Sequence, residues 1–272
     1  MAGTEADEGV RRLSVDGGEI LLETRGQGPP ILLLHGWSLD RRIWRPQLDG
    51  LSHRFRLIAQ DRRGFGESTA PPSLEQEIDD LRRLCEALGL SRMLLVGMSQ
   101  GGRVALHFAR THPELLAGLV LQGAPLDGFE PQPHGADAIP LDHLTQLARE
   151  GRIVEMRAML RRHPLMRGGA PELDAALAEF IDDYDARDLL AGAPHGLAPM
   201  AGALGAIAVP TLVITGTHDT PWRRLVGDAL AYGIPGARRA TIPGGPHLCN
   251  FTHAADYNRL LADFAATLAM AG

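Results

Sequence analysis

Apolar and polar positions along the chain follow two periods, and each change of period marks a new element. Residues 10–15 and 19–24 alternate apolar with polar side chains on either side of Asp16-Gly17-Gly18, which predicts two antiparallel strands joined by a tight turn at a sheet edge. Pro30-Ile31-Leu32-Leu33-Leu34 is apolar without alternation, the pattern of a strand buried on both faces. Helical spacing takes over at 41–51, with Ile43, Trp44 and Leu48 on one side, and a strand follows at 55–59. Over 73–88, Leu74, Ile78, Leu81, Leu84 and Leu88 keep helical intervals, with Ser73 as N-cap and Gln76 as its reciprocal partner. Further strands are predicted at 93–96, 116–121, 209–215 and 237–242. Helices are predicted at about 101–110, at 222–232, and over a C-terminal segment that carries Phe251, Tyr257, Leu260, Leu261 and Phe264.

Strands alternating with helices predict a parallel sheet covered on both faces, with ligands bound beyond the carboxyl ends of its strands. The rhythm breaks between Gly123 and Val209. After a loop at 125–140, that interval reads helical over 141–160 and 171–190, and a Gly- and Ala-rich connection at 191–208 leads back to the sheet. The first helical stretch and its tail carry Arg149, Arg152, Arg157, Arg161, Arg162 and Arg167. The second carries Glu172, Asp174, Glu179, Asp182, Asp183, Asp185 and Asp188. Mutual pairing of two exposed faces is the expected use of these charges, and a substrate-facing arginine is the alternative. The block is too short to be an independent domain and reads as a helical cap over the site.

At 272 residues, 44% of them hydrophobic, the chain suffices for one large α/β domain carrying an insertion. The net charge of −6 gives no basic footprint, so no nucleic-acid partner is expected. All 27 basic residues are Arg, which excludes a Schiff-base lysine, a pyridoxal phosphate anchor and a phosphate-loop lysine. Cys85 and Cys249 read as free thiols of a reducing compartment. No stretch approaches the roughly 20 apolar residues of a membrane span, so no membrane partner is expected. The acidic residues 1–9 lack the charged start and apolar run of a signal peptide, and a cytoplasmic location is expected. No His-Glu-x-x-His or paired-Cys spacing appears, so no metal is expected. The apolar surface for a homodimer would lie on the cap or on the terminal helix.

The chemistry centres on Gly97-Met98-Ser99-Gln100-Gly101-Gly102, set between a predicted strand and a predicted helix. In a chain with 32 glycines, Gly-x-Ser-x-Gly alone is a weak string, and the bland reading is an ordinary serine in a glycine-rich turn. Its setting is that of a nucleophile elbow, which lifts the serine above the strand ends beside the free N–H groups of the helix. Attack on an acyl carbon also needs a base, an acid to orient it, and donors for the oxyanion. His247, in a loop after the last strand, supplies the base and Asp219, just past the preceding strand, supplies the acid. The order Ser99, Asp219, His247 is the one expected of such a fold. The oxyanion donors are the backbone N–H groups of Gln100 and of Trp37, which follows His35-Gly36.

Rivals exist for two of these roles. Asp127, at the end of the adjacent strand, competes for the acid, and His253 competes for the base. His218 adjoins Asp219 but points away from it in extended chain. His107, His112 and His195 read as surface or core residues, His35 as a structural residue beneath the Gly36 turn, and Asp61 as the brace of the 62–68 loop.

These motifs, with Asp61-Arg62-Arg63-Gly64-Phe65-Gly66-Glu67-Ser68, Gly216-Thr217-His218-Asp219 and Gly245-Pro246-His247, resemble the α/β-hydrolase superfamily over residues 21–268. The resemblance implies an α/β fold with an eight-stranded, mostly parallel sheet and a helical cap inserted after the sixth strand. The core would be 1–123 with 209–272, and the cap 124–208. Within the superfamily the chain is similar to capped esterases, enol-lactone hydrolases and cofactor-free haloperoxidase-like proteins. A serine at the elbow sets it apart from the dehalogenases and epoxide hydrolases, which carry aspartate there, and Gln100 departs from the methionine common in the enol-lactone group. The expected function is cofactor-independent hydrolysis of a small carboxylic ester or lactone by Ser99, Asp219 and His247, with the substrate chosen by cap residues within 124–208. Carbon–carbon bond hydrolysis and perhydrolysis use the same triad, and a small-molecule receptor with incidental turnover is the alternative of another class.

Overall fold

The eight stretches read as strands pair into a single sheet in the computed structural model, which describes residues 8–270. The acidic reading of the N-terminus falls almost wholly on residues 1–7, outside that range. The strands are β1 (Gly9–Val15), β2 (Gly18–Arg25), β3 (Pro30–Leu34), β4 (Arg56–Gln60), β5 (Met93–Met98), β6 (Leu116–Gln122), β7 (Thr211–Gly216) and β8 (Arg238–Ile242). Their order is β1-β2-β4-β3-β5-β6-β7-β8. The first two form the edge hairpin and run antiparallel, and the other six are parallel.

Ten α-helices accompany them: α1 (Arg45–Leu51), α2 (Leu74–Leu88), α3 (Gln100–Thr111), α4 (Leu141–Arg149), α5 (Ile153–Arg162), α6 (Pro171–Asp183), α7 (Arg187–Ala191), α8 (Pro221–Gly233), α9 (Cys249–Thr252) and α10 (Ala254–Ala265). The central strand shows why its sequence is apolar throughout. Leu32 and Leu34 belong to the core cluster that includes residues of α2, α3 and α8, while Ile31 and Leu33 belong to the cluster of α1 and α10 on the opposite face. Ser73 caps α2 through its hydroxyl, which accepts from Gln76 N.

Each predicted helical tract between β6 and β7 divides in two. Gly151 takes φ +72° and lets Arg152 N–H reach the Leu147 carbonyl at 2.9 Å, closing α4. Ala186, at φ +62°, parts α6 from α7. The terminal tract divides at His253.

The charges of these helices pair less uniformly than their pattern predicts. Arg161 meets Asp182 across α5 and α6 at 2.5 Å, and Arg167 meets Asp174 at 3.0 Å. Arg152, in contrast, pairs with its neighbours Glu150 and Glu155. Such exposed pairs contribute about 0–1 kcal/mol each. Asp188 is not on the charged face at all: it is 3% exposed and turned inward.

The apolar side of the insertion forms its own cluster. Leu144, Leu147, Met156, Leu160, Ile181 and Leu189 close around Trp37 and Phe65, which come from the loops after β3 and β4. The inserted helices therefore sit over the carboxyl ends of the strands. No described helix is long and apolar enough to cross a membrane.

Candidate active site

The junction of β5 and α3 puts Ser99 in backbone geometry that a non-glycine residue rarely adopts, φ 50° and ψ −120°. Three hydrogen bonds hold it there. Ser99 N–H donates to the Gln122 carbonyl at 2.8 Å, and the Ser99 carbonyl accepts from Gly102 N at 2.8 Å and Arg103 N at 3.2 Å. The turn is so tight that a Cβ on Gly101 would lie 2.5 Å from the His35 carbonyl oxygen.

His247 and Asp219 arrive from the loops after β8 and β7, 2% and 4% exposed. His247 Nδ1 lies 2.9 Å from Asp219 Oδ2 and 3.1 Å from Oδ1. Since a carboxylate oxygen accepts, Nδ1 is the donor of this bond, and Nε2 is left as the free ring nitrogen. That Nε2 is buried and has no partner among the described residues. Asp219 Oδ1 is fixed in turn by the Thr220 N–H at 2.7 Å. Gly123, at φ +52°, clears the space: a Cβ there would stand 2.6 Å from His247 Cε1.

Gln122, which the sequence did not single out, ties the two halves together. Its carbonyl takes the Ser99 N–H, and its Nε2 donates to the His247 carbonyl at 3.0 Å and to Asn250 Oδ1 at 2.9 Å. The structure thus brings Asp219 against His247 and anchors Ser99 and His247 to one residue. A Ser99 to His247 hydrogen bond is not made among the described residues.

The backbone N–H groups of Trp37 and Gln100 donate to no acceptor among the described residues, and both residues wall the cavity beside Ser99. The side chains are occupied elsewhere. Trp37 Nε1 donates to Asp188 Oδ2 at 2.6 Å, and Asp188 Oδ1 takes the Tyr184 hydroxyl at 2.7 Å, so the buried carboxylate of α7 fixes the indole. Burial, with Asp188 beside it, pushes the Tyr184 phenol well above its usual range. Gln100 Oε1 accepts from Arg62 Nη1 at 3.1 Å.

Beneath the elbow, His35 is fully buried, with Nδ1 2.7 Å from the Gly36 carbonyl and Nε2 accepting from Arg62 N at 3.0 Å. Burial, then the Arg62 charge, lowers its pKa to about 3 from 6.5. On acidification the unfolded chain takes up this proton first. The contribution to stability is therefore complete above about pH 6.5 and is lost progressively toward about pH 3, roughly 3 kcal/mol of it by about pH 4.5. Chemical denaturation across that range should show His35→Gln losing stability less steeply than the wild type, and equal slopes would remove this account.

The rivals fall elsewhere. Asp127 pairs with Arg103 at 2.8 Å and takes the Leu197 N–H; among the described residues it makes no hydrogen bond to His247. His253 Nδ1 engages Thr252 Oγ1 at 2.9 Å at the start of α10, and His218 is exposed. Asp61 braces its loop by accepting from Arg41 N and Glu67 N. No cluster of three or more His, Cys, Asp or Glu among the described residues is placed to hold a metal ion.

A cavity of about 230 Å³ opens beside Ser99 under the inserted segment. Its wall includes Arg103, Trp222 and Arg223, which the sequence did not mark as site residues, and His195, which lies within the 124–208 range expected to choose the substrate but was not singled out there. His195, read as a surface or core residue, stands edge-on to Trp37 with 6.0 Å between ring centroids. The available signals were positional: Arg103 follows the elbow directly, and Trp222 and Arg223 come just after Asp219.

The profile of the alpha/beta hydrolase fold matches residues 29–254. A Synechocystis sp. protein assigned the name of a non-heme chloroperoxidase is 31% identical over 264 residues, covering 90% of this chain and 94% of that one. A thermophilic esterase from Thermogutta terrifontis superposes with a TM-score of 0.75 at 30% identity, over 94% of this chain and 98% of the other. The enol-lactonase from Burkholderia xenovorans LB400 gives 0.78 at 26% identity, over 94% and 100%. With the matching profile spanning most of its length and the sheet order and elbow described above, the chain belongs to the α/β hydrolase family.

Proposed function

We propose that the protein is a serine hydrolase that cleaves a small carboxylic ester or lactone through an acyl-enzyme. The supporting observation is the state of His247, whose Nδ1 is bound to Asp219 and whose Nε2 is buried without a partner. Such an imidazole is oriented to take one proton at one atom. Ser99 Oγ attacks the carbonyl carbon as its proton passes to Nε2, and the oxyanion is met by the Trp37 and Gln100 N–H groups. The carbon–oxygen bond of the leaving group breaks, and the alkoxide takes the proton from Nε2. Water then gives a proton to Nε2, attacks the acyl carbon and releases the acid, and Ser99 recovers its proton. Asp219 holds the tautomer throughout. The named esterase and enol-lactonase among the similar structures agree with this choice of reaction. The small cavity under residues 124–208 suits a short substrate, with that segment acting as the cap that selects it.

The test is labelling with a fluorophosphonate probe followed by peptide mapping, with p-nitrophenyl esters of increasing chain length assayed in parallel. Labelling at Ser99 that is lost in His247→Ala, with turnover of a short ester, is expected. A folded wild-type protein that resists the probe would remove Ser99 from the role of activated nucleophile.

A further inference from the structure

Arg223 is a charged group of the site that the mechanism above leaves unused. It is 7% exposed and walls the same cavity as Ser99. Nη1 makes one long hydrogen bond, 3.3 Å, to the Gly123 carbonyl. Among the described residues Nε is buried with no hydrogen-bond partner, Nη2 makes no hydrogen bond, and no carboxylate lies within ion-pair distance of the guanidinium. The other arginine of the cavity is in a different condition, because Arg103 is matched by Asp127 at 2.8 Å and also donates to the His195 carbonyl.

Asp137 shares the cavity, but its Oδ2 is turned to the Trp222 N–H at 3.4 Å and it forms no ion pair with Arg223. Burial lowers the Arg223 pKa to about 10, an effect that the more distant Asp219 and Asp137 charges only partly offset. Besides that carbonyl the guanidinium has the face of the Trp222 indole, 5.0 Å from the ring centroid, and neither carries a formal negative charge. A buried cation so placed is costly to keep, and an anion brought by a ligand would relieve that cost. Arginine suits a carboxylate in particular, since its planar fork matches the spacing of two carboxylate oxygens.

We propose that Arg223 binds a carboxylate of the substrate, so that the compound hydrolysed is an ester or lactone bearing a free acid group. The inference rests on the serine-hydrolase reading and adds the class of substrate to it. In the productive pose the acid group lies against Arg223 while the scissile carbonyl lies against Ser99, which calls for a short spacer within a cavity of about 230 Å³. The competing account is that Arg223 only braces the Gly123 carbonyl beside His247. It predicts that charged and neutral esters suffer equally when the guanidinium is removed.

The experiment compares kcat/KM at neutral pH for monomethyl succinate, glutarate and adipate with the matching dimethyl esters, on the wild type, Arg223→Gln and Arg223→Lys. The readout is the half-ester to diester ratio, which a general loss of activity leaves unmoved. The expected wild-type ratio is about 10 to 100 for the best spacer, the span of a charge-assisted contact, falling to within about threefold of unity in Arg223→Gln and partly retained in Arg223→Lys. A wild-type ratio near unity at all three lengths overturns the proposal without recourse to any variant, as does a ratio that survives Arg223→Gln. Fluorophosphonate labelling of the same wild-type sample separates the two levels. A labelled Ser99 with a flat ratio defeats only the Arg223 assignment, whereas an unreactive Ser99 defeats the hydrolase reading beneath it.

Discussion

Ser99→Ala should lower kcat on any ester the protein turns over by roughly 10⁴-fold or more, with KM changed little. On the proposed mechanism the substitution removes the attacking oxygen, and it removes nothing that the fold uses. The bonds that hold the elbow are all made by the Ser99 backbone, and its hydroxyl makes none among the described residues. The melting temperature should therefore stay close to that of the wild type, which separates loss of chemistry from loss of structure. His247→Ala should cost a similar factor, and the double variant should be scarcely worse than either single one, because in the proposed mechanism Ser99 and His247 act as one unit. The decisive comparison is kcat and melting temperature for the three variants side by side. Residual activity above about a tenth in Ser99→Ala, or losses that multiply in the double variant, would falsify the shared role.

Glu77→Met should have the largest effect on stability, about 3–5 kcal/mol, because it leaves a buried arginine without its counter-ion. Arg62 is 0% exposed and sits at the junction of β4, α2 and the elbow. Its Nε and Nη2 donate to the two Glu77 oxygens at 2.8 and 3.1 Å, while Nη1 reaches the His35 carbonyl and Gln100 Oε1, both at 3.1 Å. Burial raises the Glu77 pKa despite the neighbouring guanidinium, so the intact pair is no large net stabiliser. The asymmetry lies in breaking it. For a chain of this length the loss corresponds to a fall in melting temperature on the order of 10 °C. Glu77→Met with Arg62→Met should recover part of the loss, since the pair is then gone rather than half removed. Because Arg62 also holds the side chain of Gln100, the single variant should lower kcat as well. A melting temperature within about 2 °C of the wild type would show that Arg62 finds another partner.

Much of this molecule was legible in its residues. The run Ile31-Leu32-Leu33-Leu34 had to be a strand covered on both faces, since neither alternate set of side chains is polar, and the two core clusters divide it residue by residue. The elbow was legible because its geometry is local, and small residues are demanded wherever strand and helix backbones meet. Asp219 and His247 were chosen as candidates by their places at strand ends, where a parallel sheet gathers side chains from separate loops, and the structure sets them 2.9 Å apart.

What the sequence alone decided was local or periodic: the strands, most of the helices, the tight turn at Ser99 and the strand-end positions of the other candidate residues. Even there the helical tracts ran on too far, because apolar spacing continues past Gly151 and Ala186 while the backbone at those two residues does not. Only the tertiary structure decided which polar groups are buried and which enter the cavity. Asp188 sits in an acidic run that reads as a solvated face, yet it meets an indole 151 positions away. Gln122 lies at the end of an apolar strand and anchors His247 across 125 positions. Arg223 shares a helix with exposed residues and is itself shut in. Contacts between residues so far apart along the chain leave no period in the sequence, since they depend on where the sheet brings separate loops together rather than on the neighbours of any one residue.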